Sequence, residues 1–399
     1  MNLPFRWKKE WLPVLGLVLL LRMIYSLLGW LVASGPAPEP LAASPVYDLT
    51  APLLSATPLM DKLVNVWWRW DTPYYLSIAA QGYSIEQTLA FAPLYPILIR
   101  WLHFLAGGDY LLSALLISNL AALAAGLLLY EVACLEGLTA SAALRSTVSL
   151  FLFPTAFFLF AGYAESLFLA LSLSTWLLAR QRKWLLAGLV GALAALTRLP
   201  GVLLSPVLMW MFFVACTGAQ NAEPGRPAWK HRLHCLAKPA WLGTLLPAAA
   251  LGLILLLTRS RAQNGAPSDV LASYWGIQMV PPWEGFRLFL ERLFFTPRIF
   301  IDWIDLSLFL LVLAVCIWGL FRLDPALSLY NWLYIGLLLM RGTPPHLLDS
   351  FSRYFLALFP VFLLLGRIGH RWGLIILWIV SFALQIILTW GFLQWKWVA

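Results

Sequence analysis

The chain has 399 residues, 61% of them hydrophobic and only 11% charged, with a formal net charge of +9. Soluble domains carry about 25% charged residues, so this composition excludes a soluble enzyme and describes a polytopic membrane protein. The positive excess reads as Lys and Arg retained at the cytoplasmic side, not as a nucleic-acid surface, and no nucleic acid is expected as a partner.

In chain order, Arg6, Lys8 and Lys9 precede an apolar run at 11–34. That run is too long for a signal-peptide h-region and reads as a retained first span. The stretch 35–58 is rich in Pro, Ala and Ser and reads as irregular; Asp61 is placed to cap a helix from Lys62 towards Trp70. Residues 93–106 are apolar but carry Pro93, Pro96, Arg100 and His103. So short a run suits a helix lying along the membrane better than one crossing ~30 Å of hydrocarbon. Further runs fall near 110–133, 146–162, 166–179, 184–197, 201–216, 239–258, 299–321, 325–340, 353–366 and 372–393.

Positive charge tests this count. With the N-terminus inside and 93–106 not crossing, the inner connections collect Arg145, Arg180, Arg182, Lys183, Arg322, Arg367 and Arg371. They also take in the basic loop 217–238 with Arg226, Lys230, Arg232 and Lys238; making 93–106 a span would put that loop outside. The expected fold is all-α: a single domain over 1–399 with about 11 transmembrane helices and juxtamembrane helices in the first outer loop. The outer loops are 35–109, 259–298 and a shorter one at 341–352. Nearly all acids then face outwards, which suggests a polar, functional outer face. Cys134, Cys216, Cys235 and Cys316 fall in spans or inner loops without metal-ligand spacing, so no disulfide framework is expected. The histidines are scattered, with His231 and His234 in the basic loop, and no phosphate-loop, Ser-x-x-Lys or zinc motif occurs.

Chemistry falls to a few polar residues in apolar company. Asp71 follows Val66-Trp67-Trp68-Arg69-Trp70, and on a helical reading Val64, Trp67, Trp68 and Asp71 share one face. Two readings stand side by side: a reactive carboxylate at headgroup depth, or an interfacial aromatic belt whose Asp71 caps the helix opened by Thr72-Pro73. Glu165, between two apolar runs, needs a partner or a wet cavity if it lies at membrane depth, and otherwise sits in a short solvated turn. Arg198 and Arg353 lie at outer span ends, where each either snorkels to headgroups or holds a phosphate. Arg22, in the middle of the first span, reads as facing a partner inside the bundle.

These motifs resemble the PIG-V-like mannosyltransferases, a family of GT-C membrane glycosyltransferases. Arg69-Trp70-Asp71 … Tyr75-Leu76 with Ala79 … Gly82-Tyr83 looks like the family's first-loop aspartate motif. Phe91-Ala92-Pro93-Leu94-Tyr95-Pro96 followed by Arg100 is similar to its Pro-Leu-Tyr-Pro motif. Phe153-Pro154 … Tyr163-Ala164-Glu165-Ser166, Ala187-Gly188-Leu189 … Leu196-Thr197-Arg198, Arg353-Tyr354 … Phe359-Pro360 and the closing Trp397-Val398-Ala399 follow in family order. Phe153, Ala164 and Thr72-Pro73 depart from the family's usual Asn, Ser and small residue. The chain's compactness and its lack of an Asn-x-Ser/Thr site lean towards a bacterial homologue.

The resemblance implies a GT-C fold and transfer of a mannosyl (hexosyl) residue from polyprenyl-phosphate-mannose to a glycolipid or glycan acceptor. The reaction would be inverting, at the outer face of the cell membrane, among membrane lipids, with no cofactor named and metal dependence open. Asp71 would be the base. Arg69, Trp70, Tyr75, Tyr95, Arg100, Tyr163, Glu165, Arg198, Arg353 and Tyr354 would bind substrate, with Arg198 and Arg353 on the donor phosphate and Arg69 a weaker candidate. A flippase of lipid-linked sugars would need similar charges, but as paired broken helices in two related halves, which the sequence does not show. A non-catalytic scaffold of a glycan-assembly complex is the third reading.

Overall fold

The computed structural model describes residues 9–36, 44–217, 238–259, 267–295, 299–342, 348 and 350–398. Arg6, Lys8, most of the basic loop with His231, His234 and Cys235, and Ala399 lie outside the described residues. The chain begins with α1 (Leu12–Ala33), four short helices α2 (Pro45–Thr50), α3 (Pro58–Leu63), α4 (Thr72–Gln81) and α5 (Leu94–Leu102), and then α6 (Tyr110–Leu135). Asp109 caps α6, accepting from the Leu112 backbone at 2.9 Å. Its 26 residues rise 1.5 Å each, enough to cross a bilayer.

One contact decides the topology of this first part. Trp11, at the start of α1, donates its indole N–H to Glu131, near the end of α6, at 2.8 Å. The beginning of α1 and the end of α6 therefore meet at one end of the bundle, here the near end. The end of α1 and the start of α6 therefore lie at the far end, and α5 does not cross. Its exposed Ile97 and Trp101, with Phe104 just beyond, give it the lipid-facing side expected of a helix lying along a membrane.

The remainder comprises α7 (Ala140–Phe151), α8 (Glu165–Arg180), α9 (Trp184–Thr197), α10 (Leu204–Thr217), α11 (Leu246–Arg259), α12 (Pro267–Trp275), α13 (Pro282–Phe295), α14 (Phe300–Gly319), α15 (Pro325–Leu339), α16 (Phe351–Tyr354), α17 (Phe359–Gly366) and α18 (Arg371–Leu393). A two-residue ribbon pairs β1 (Gln278–Met279) antiparallel with β2 (Arg341–Gly342), Met279 opposite Arg341. Among the described residues six helices are long and apolar enough to cross a membrane: Lys9–Ala33, Tyr110–Leu135, Leu199–Thr217, Pro239–Arg259, Phe300–Gly319 and Arg371–Leu393. Trp184–Thr197 and Pro325–Leu339 are shorter apolar helices. The protein is an all-α, multi-pass membrane protein. Small residues bring its helices together: a Cβ on Gly188 would lie 1.8 Å from the carbonyl oxygen of Gly243.

Charges gather at both ends. At the near end Arg180 Nε and Nη2 donate to Glu136 at 2.8 and 2.6 Å, and Nη2 also reaches Asp324 Oδ2 at 3.1 Å. Trp176 donates to Glu136 at 2.9 Å, and Arg145 Nη2 donates to the Gly366 carbonyl at 2.9 Å. The ends of α6, α8 and α17 and the start of α15 are thereby clasped together.

Five expectations need correction. The stretch 35–58 is not irregular throughout: Ser44 caps α2 at Pro45–Thr50, and a 3-10 turn follows over Ala51–Leu53. Thr57, not Asp61, caps the helix before Trp67; Asp61 sits inside α3 and accepts from Asn65 Nδ2 at 2.6 Å. No helix runs from Lys62 to Trp70, because a 3-10 turn over Asn65–Trp67 ends at Trp68 and Trp70 takes a left-handed φ of 52°. The apolar run at 146–162 is helical only to Phe151; Pro154 has no N–H to continue the helix, and residues 153–164 form a buried irregular segment. Cys134 and Cys316 are free, but Cys216, in the last turn of α10, is disulfide-bonded.

Candidate active site

Non-helical backbone at membrane depth survives only where side chains satisfy it. Gln385 Nε2 donates to the carbonyls of Phe151 and Phe153, both at 2.9 Å. Thr155 Oγ1 donates to the Ser352 carbonyl at 2.8 Å, Asn119 Nδ2 to that of Phe160 at 3.1 Å, and Ser118 Oγ to that of Tyr163 at 2.8 Å. The irregular segment is thus fixed from α6, α16 and α18, and against it stands α4. Thr72 Oγ1 donates to the Gly162 carbonyl at 3.4 Å, and a Cβ on Gly162 would come within 3.0 Å of Thr72 Cγ2. A side chain there would push Thr72 away by a few tenths of an ångström.

Asp71 precedes α4 at the backbone N-cap position, yet its side chain makes no capping bond. Its Oδ2 accepts from Arg353 Nη1 at 2.7 Å, and its N–H donates to the Tyr163 hydroxyl at 3.1 Å. Of the two readings open for Asp71, the cap is not the one its carboxylate takes. Just before it, Trp70 holds a φ that a bulky side chain rarely adopts. Such strain persists only where surroundings over-determine it, and here rings do: Trp70 lies 5.8 Å from Trp395 and 5.3 Å from Trp397.

Glu165 opens α8 with only 4% of its side chain exposed, so it is not in a solvated turn. It pairs with Arg198 Nη1, and its Oε1 lies 3.4 Å from Arg353 Nε. A helix N-terminus and two guanidiniums make a buried carboxylate tolerable. The chain Asp71–Arg353–Glu165–Arg198 ties together four elements separated in sequence. Tyr354 adds a hydroxyl 3.2 Å from Arg353 Nη2, and its ring lies 5.0 Å from the Arg198 guanidinium and 4.9 Å from that of Arg341. Arg198, Arg341 and Arg353 thus stand together around the Tyr354 ring, and planar guanidiniums so gathered suit an anion.

Two cavities meet at this cluster. One, of about 340 Å³, is walled by Tyr47, Trp70, Tyr74, Phe158, Tyr163, Phe392 and Trp397. The other, of about 390 Å³, runs past Tyr75, Thr197, Arg198, Pro200 and Met279 between aliphatic side chains such as Leu199, Leu251, Ile254, Leu255, Leu337 and Leu338. Asp71, Arg341, Arg353 and Tyr354 line both. Leu255 on α11 is itself 46% exposed, so the aliphatic cavity abuts the apolar surface of the bundle. In the aromatic cavity, burial and the charge of Asp71 push the Tyr47 and Tyr74 hydroxyls up from the ordinary phenol range, with Tyr74 also raising Tyr47. Both stay protonated and able to donate.

The structure brings Asp71, Trp70, Tyr75, Tyr163, Arg198, Arg353 and Tyr354 to the cavity walls, and places Glu165 directly behind the arginines. Three candidates lie elsewhere. Tyr95 is buried between α5 and α6, its hydroxyl 3.0 Å from the Ala114 carbonyl and 2.6 Å from Ser118 Oγ. Arg100 is exposed on α5 and lines neither cavity. Arg69 donates through Nε to the Leu393 carbonyl at 2.8 Å and through Nη1 to that of Trp68 at 2.9 Å, so it fastens α18 and does not reach the cavities. Arg22 does face the bundle, its guanidinium 5.4 Å from the Trp67 ring. Sequence reasoning missed Arg341, Tyr47, Tyr74 and the cavity-lining place of Trp397. Arg341 carried the same signal as Arg198 and Arg353, an arginine at the outer end of an apolar run; Tyr47 and Tyr74 carried none.

The family model described as Mannosyltransferase (PIG-V) matches residues 9–217. GPI alpha-1,6-mannosyltransferase 2 of Mus musculus is 32% identical over 197 residues, covering 47% of this chain and 39% of the relative. The Rattus norvegicus protein of the same name is 34% identical over 162 residues, covering 38% and 33%. GPI mannosyltransferase 2 of Schizosaccharomyces pombe is 30% identical over 172 residues, covering 39% and 36%. The matched stretch thus spans well under half of each of these relatives. Among solved structures, the apo oligosaccharyltransferase of Archaeoglobus fulgidus aligns with 98% of this chain and 56% of its own, at 14% identity and a TM-score of 0.45.

Proposed function

The chain belongs to the PIG-V mannosyltransferase family, and on that premise we propose that it is a membrane glycosyltransferase. It moves a mannosyl residue from a polyprenyl-phosphate donor to a glycolipid or glycan acceptor, at the far end of the bundle, on the outer face of the cell membrane. The observation that carries this reading is the place of Asp71: one carboxylate at the junction of an aliphatic and an aromatic cavity, among three arginines. The prenyl chain enters the aliphatic cavity from the bilayer side. Its phosphate lies against Arg198, Arg341 and Arg353, whose planar forks suit phosphate oxygens.

An acceptor hydroxyl approaches Asp71 from the aromatic cavity. As its oxygen bonds to the anomeric carbon, its proton passes to Asp71, and the bond from that carbon to the phosphate oxygen breaks on the opposite face. Configuration inverts, so a β-linked donor gives an α-mannoside. Charge grows on the leaving phosphate, where the arginines already stand. No second carboxylate is required as acid, because a phosphate leaves without protonation, and the sugar–phosphate bond supplies the energy without a cofactor. Arg353, bridging Asp71 and Glu165, keeps the base aimed.

Asp71→Asn keeps size and removes basicity. Purified in lipid nanodiscs with polyprenyl-phosphate-mannose and octyl α-mannopyranoside, the variant should lose about 10²–10⁴ in kcat at little change in donor KM. A variant turning over at the wild-type rate would show that Asp71 is not the base.

A further inference from the structure

The two cavities are built from different materials. Nine of the seventeen described residues lining the 340 Å³ cavity are aromatic, against three of twenty-two in its neighbour. A prenyl chain needs only aliphatic cover. Flat, rigid rings edged with hydroxyls suit a ligand with a flat apolar face and a polar rim, which describes a pyranose: C–H bonds on its faces, hydroxyls around its edge.

One wall of the aromatic cavity includes Trp397 and Val398, in the segment that follows α18. Arg69 holds the end of α18 through the Leu393 carbonyl and lies 5.1 Å from the Trp395 ring. Trp395 is 2% exposed and packs against Tyr47 at 5.3 Å and Trp68 at 5.7 Å. It is a pin. Its φ of 60° turns the chain so that Trp397 comes back to meet Trp70 edge-to-face at 5.3 Å and 82°, in the cavity wall. Two bulky residues, Trp70 and Trp395, thus hold left-handed backbone in mutual contact. An aliphatic wall would need neither, and strain of this kind is characteristic of functional sites.

We propose that Trp397, cornered with Trp70, is a specificity-determining residue of the acceptor subsite: it stacks on a hexose ring of the acceptor and presents a hydroxyl of that ring to Asp71. This rests on the transfer reading above. The acceptor nucleophile is then a hydroxyl on a sugar, and a bare glycerol or alkyl hydroxyl is a poor substitute. Arg69 and Trp395 are positioning residues for this wall.

The test uses the full chain in nanodiscs, with polyprenyl-phosphate-mannose as donor and octyl α-mannopyranoside or 1-O-octylglycerol as acceptor probe. Trp397→Ala should raise KM for octyl mannoside about tenfold, leave donor KM unchanged, and nearly erase the preference over octylglycerol; Trp397→Phe should restore most of it. A loss shared equally by both acceptors, or an unchanged octyl mannoside KM in the Ala variant, overturns the proposal. Saturation-transfer NMR of octyl mannoside, without donor, separates the two claims. Trp397-dependent binding in a protein that transfers nothing supports the subsite and sinks the transfer reading. Binding no better than octylglycerol, with or without Trp397, sinks the subsite whatever the turnover.

Discussion

The two charged clusters of this molecule use the same residue types to opposite ends. At the near end, Arg180, Glu136 and Asp324 saturate one another: both Glu136 oxygens are taken, one of them also by Trp176. At the far end, Asp71, Arg353, Glu165 and Arg198 also pair, but Arg353 Nε is buried without a hydrogen-bond partner among the described residues and lies 3.4 Å from Glu165. Two cavities open there. A cluster that fulfils its own hydrogen bonds is a clasp, whereas one with donor capacity left over beside a cavity is prepared for a ligand. Composition does not distinguish these cases; the remaining hydrogen-bond capacity does.

Removing Arg353 is the largest way to break that contrast. Arg353→Ala leaves Asp71 without its cation, removes the longer of the two contacts to Glu165, which keeps Arg198, and takes a donor from the phosphate, so transfer should fall by about 10³ or more, read as kcat/KM with the mannosyl donor. Arg353→Lys should recover little, since an ammonium cannot fork between two carboxylates and a phosphate. Full activity in the lysine variant would reduce Arg353 to a point charge. Glu165→Gln comes next. Because Glu165 lies behind the arginines and outside both cavities, its loss should act through them, raising donor KM by about tenfold while acceptor KM stays. If acceptor KM moved instead, Glu165 would have to face the cavity that the structure keeps it out of.

Much of the far-end cluster was legible in the sequence, because a charge inside apolar sequence is conspicuous. Asp71, Glu165, Arg198 and Arg353 stand out for that reason, and charge counting already kept α5 from crossing. The rest depends on what a one-dimensional pattern does not carry. Tyr47 and Trp397 are ordinary aromatics among many, and only the left-handed turns at Trp70 and Trp395 bring them to one cavity. Hydropathy read 146–162 as a span, since buried irregular backbone is as apolar as helix; Gln385, on α18, satisfies its start from the far side of the sequence. The cap assigned to Asp61 failed because Thr57, equally able to cap, stood one turn earlier.

The near-end clasp supplies the control. Arg180 is 29% exposed and Glu136 8%, and Arg180→Ala leaves Glu136 partly uncompensated, at about 1–3 kcal/mol in stability. Thermal unfolding in nanodiscs should shift down while kcat and both KM values, per folded molecule, stay at wild type. A change in donor KM would mean that the two ends communicate and that saturation does not mark a purely structural cluster.

Arg100 is the smallest and most pointed case, because motif and geometry disagree about it. The Pro-Leu-Tyr-Pro motif carries it, yet its side chain is exposed on α5, and that helix presents Trp101 and Ile97 to the surroundings. An exposed arginine beside such a face has headgroups within reach, and its removal should change stability by no more than about 0.5 kcal/mol. Arg100→Ala should therefore transfer mannose at wild-type kcat and KM in neutral lipid. With anionic lipid added, only a modest loss of membrane affinity of α5 is expected, measurable as a small rise in donor KM. A large loss of kcat in neutral lipid would show that α5 closes over the site during turnover and carries Arg100 to the donor; the contrast between saturated and unsaturated clusters would then need a moving third part.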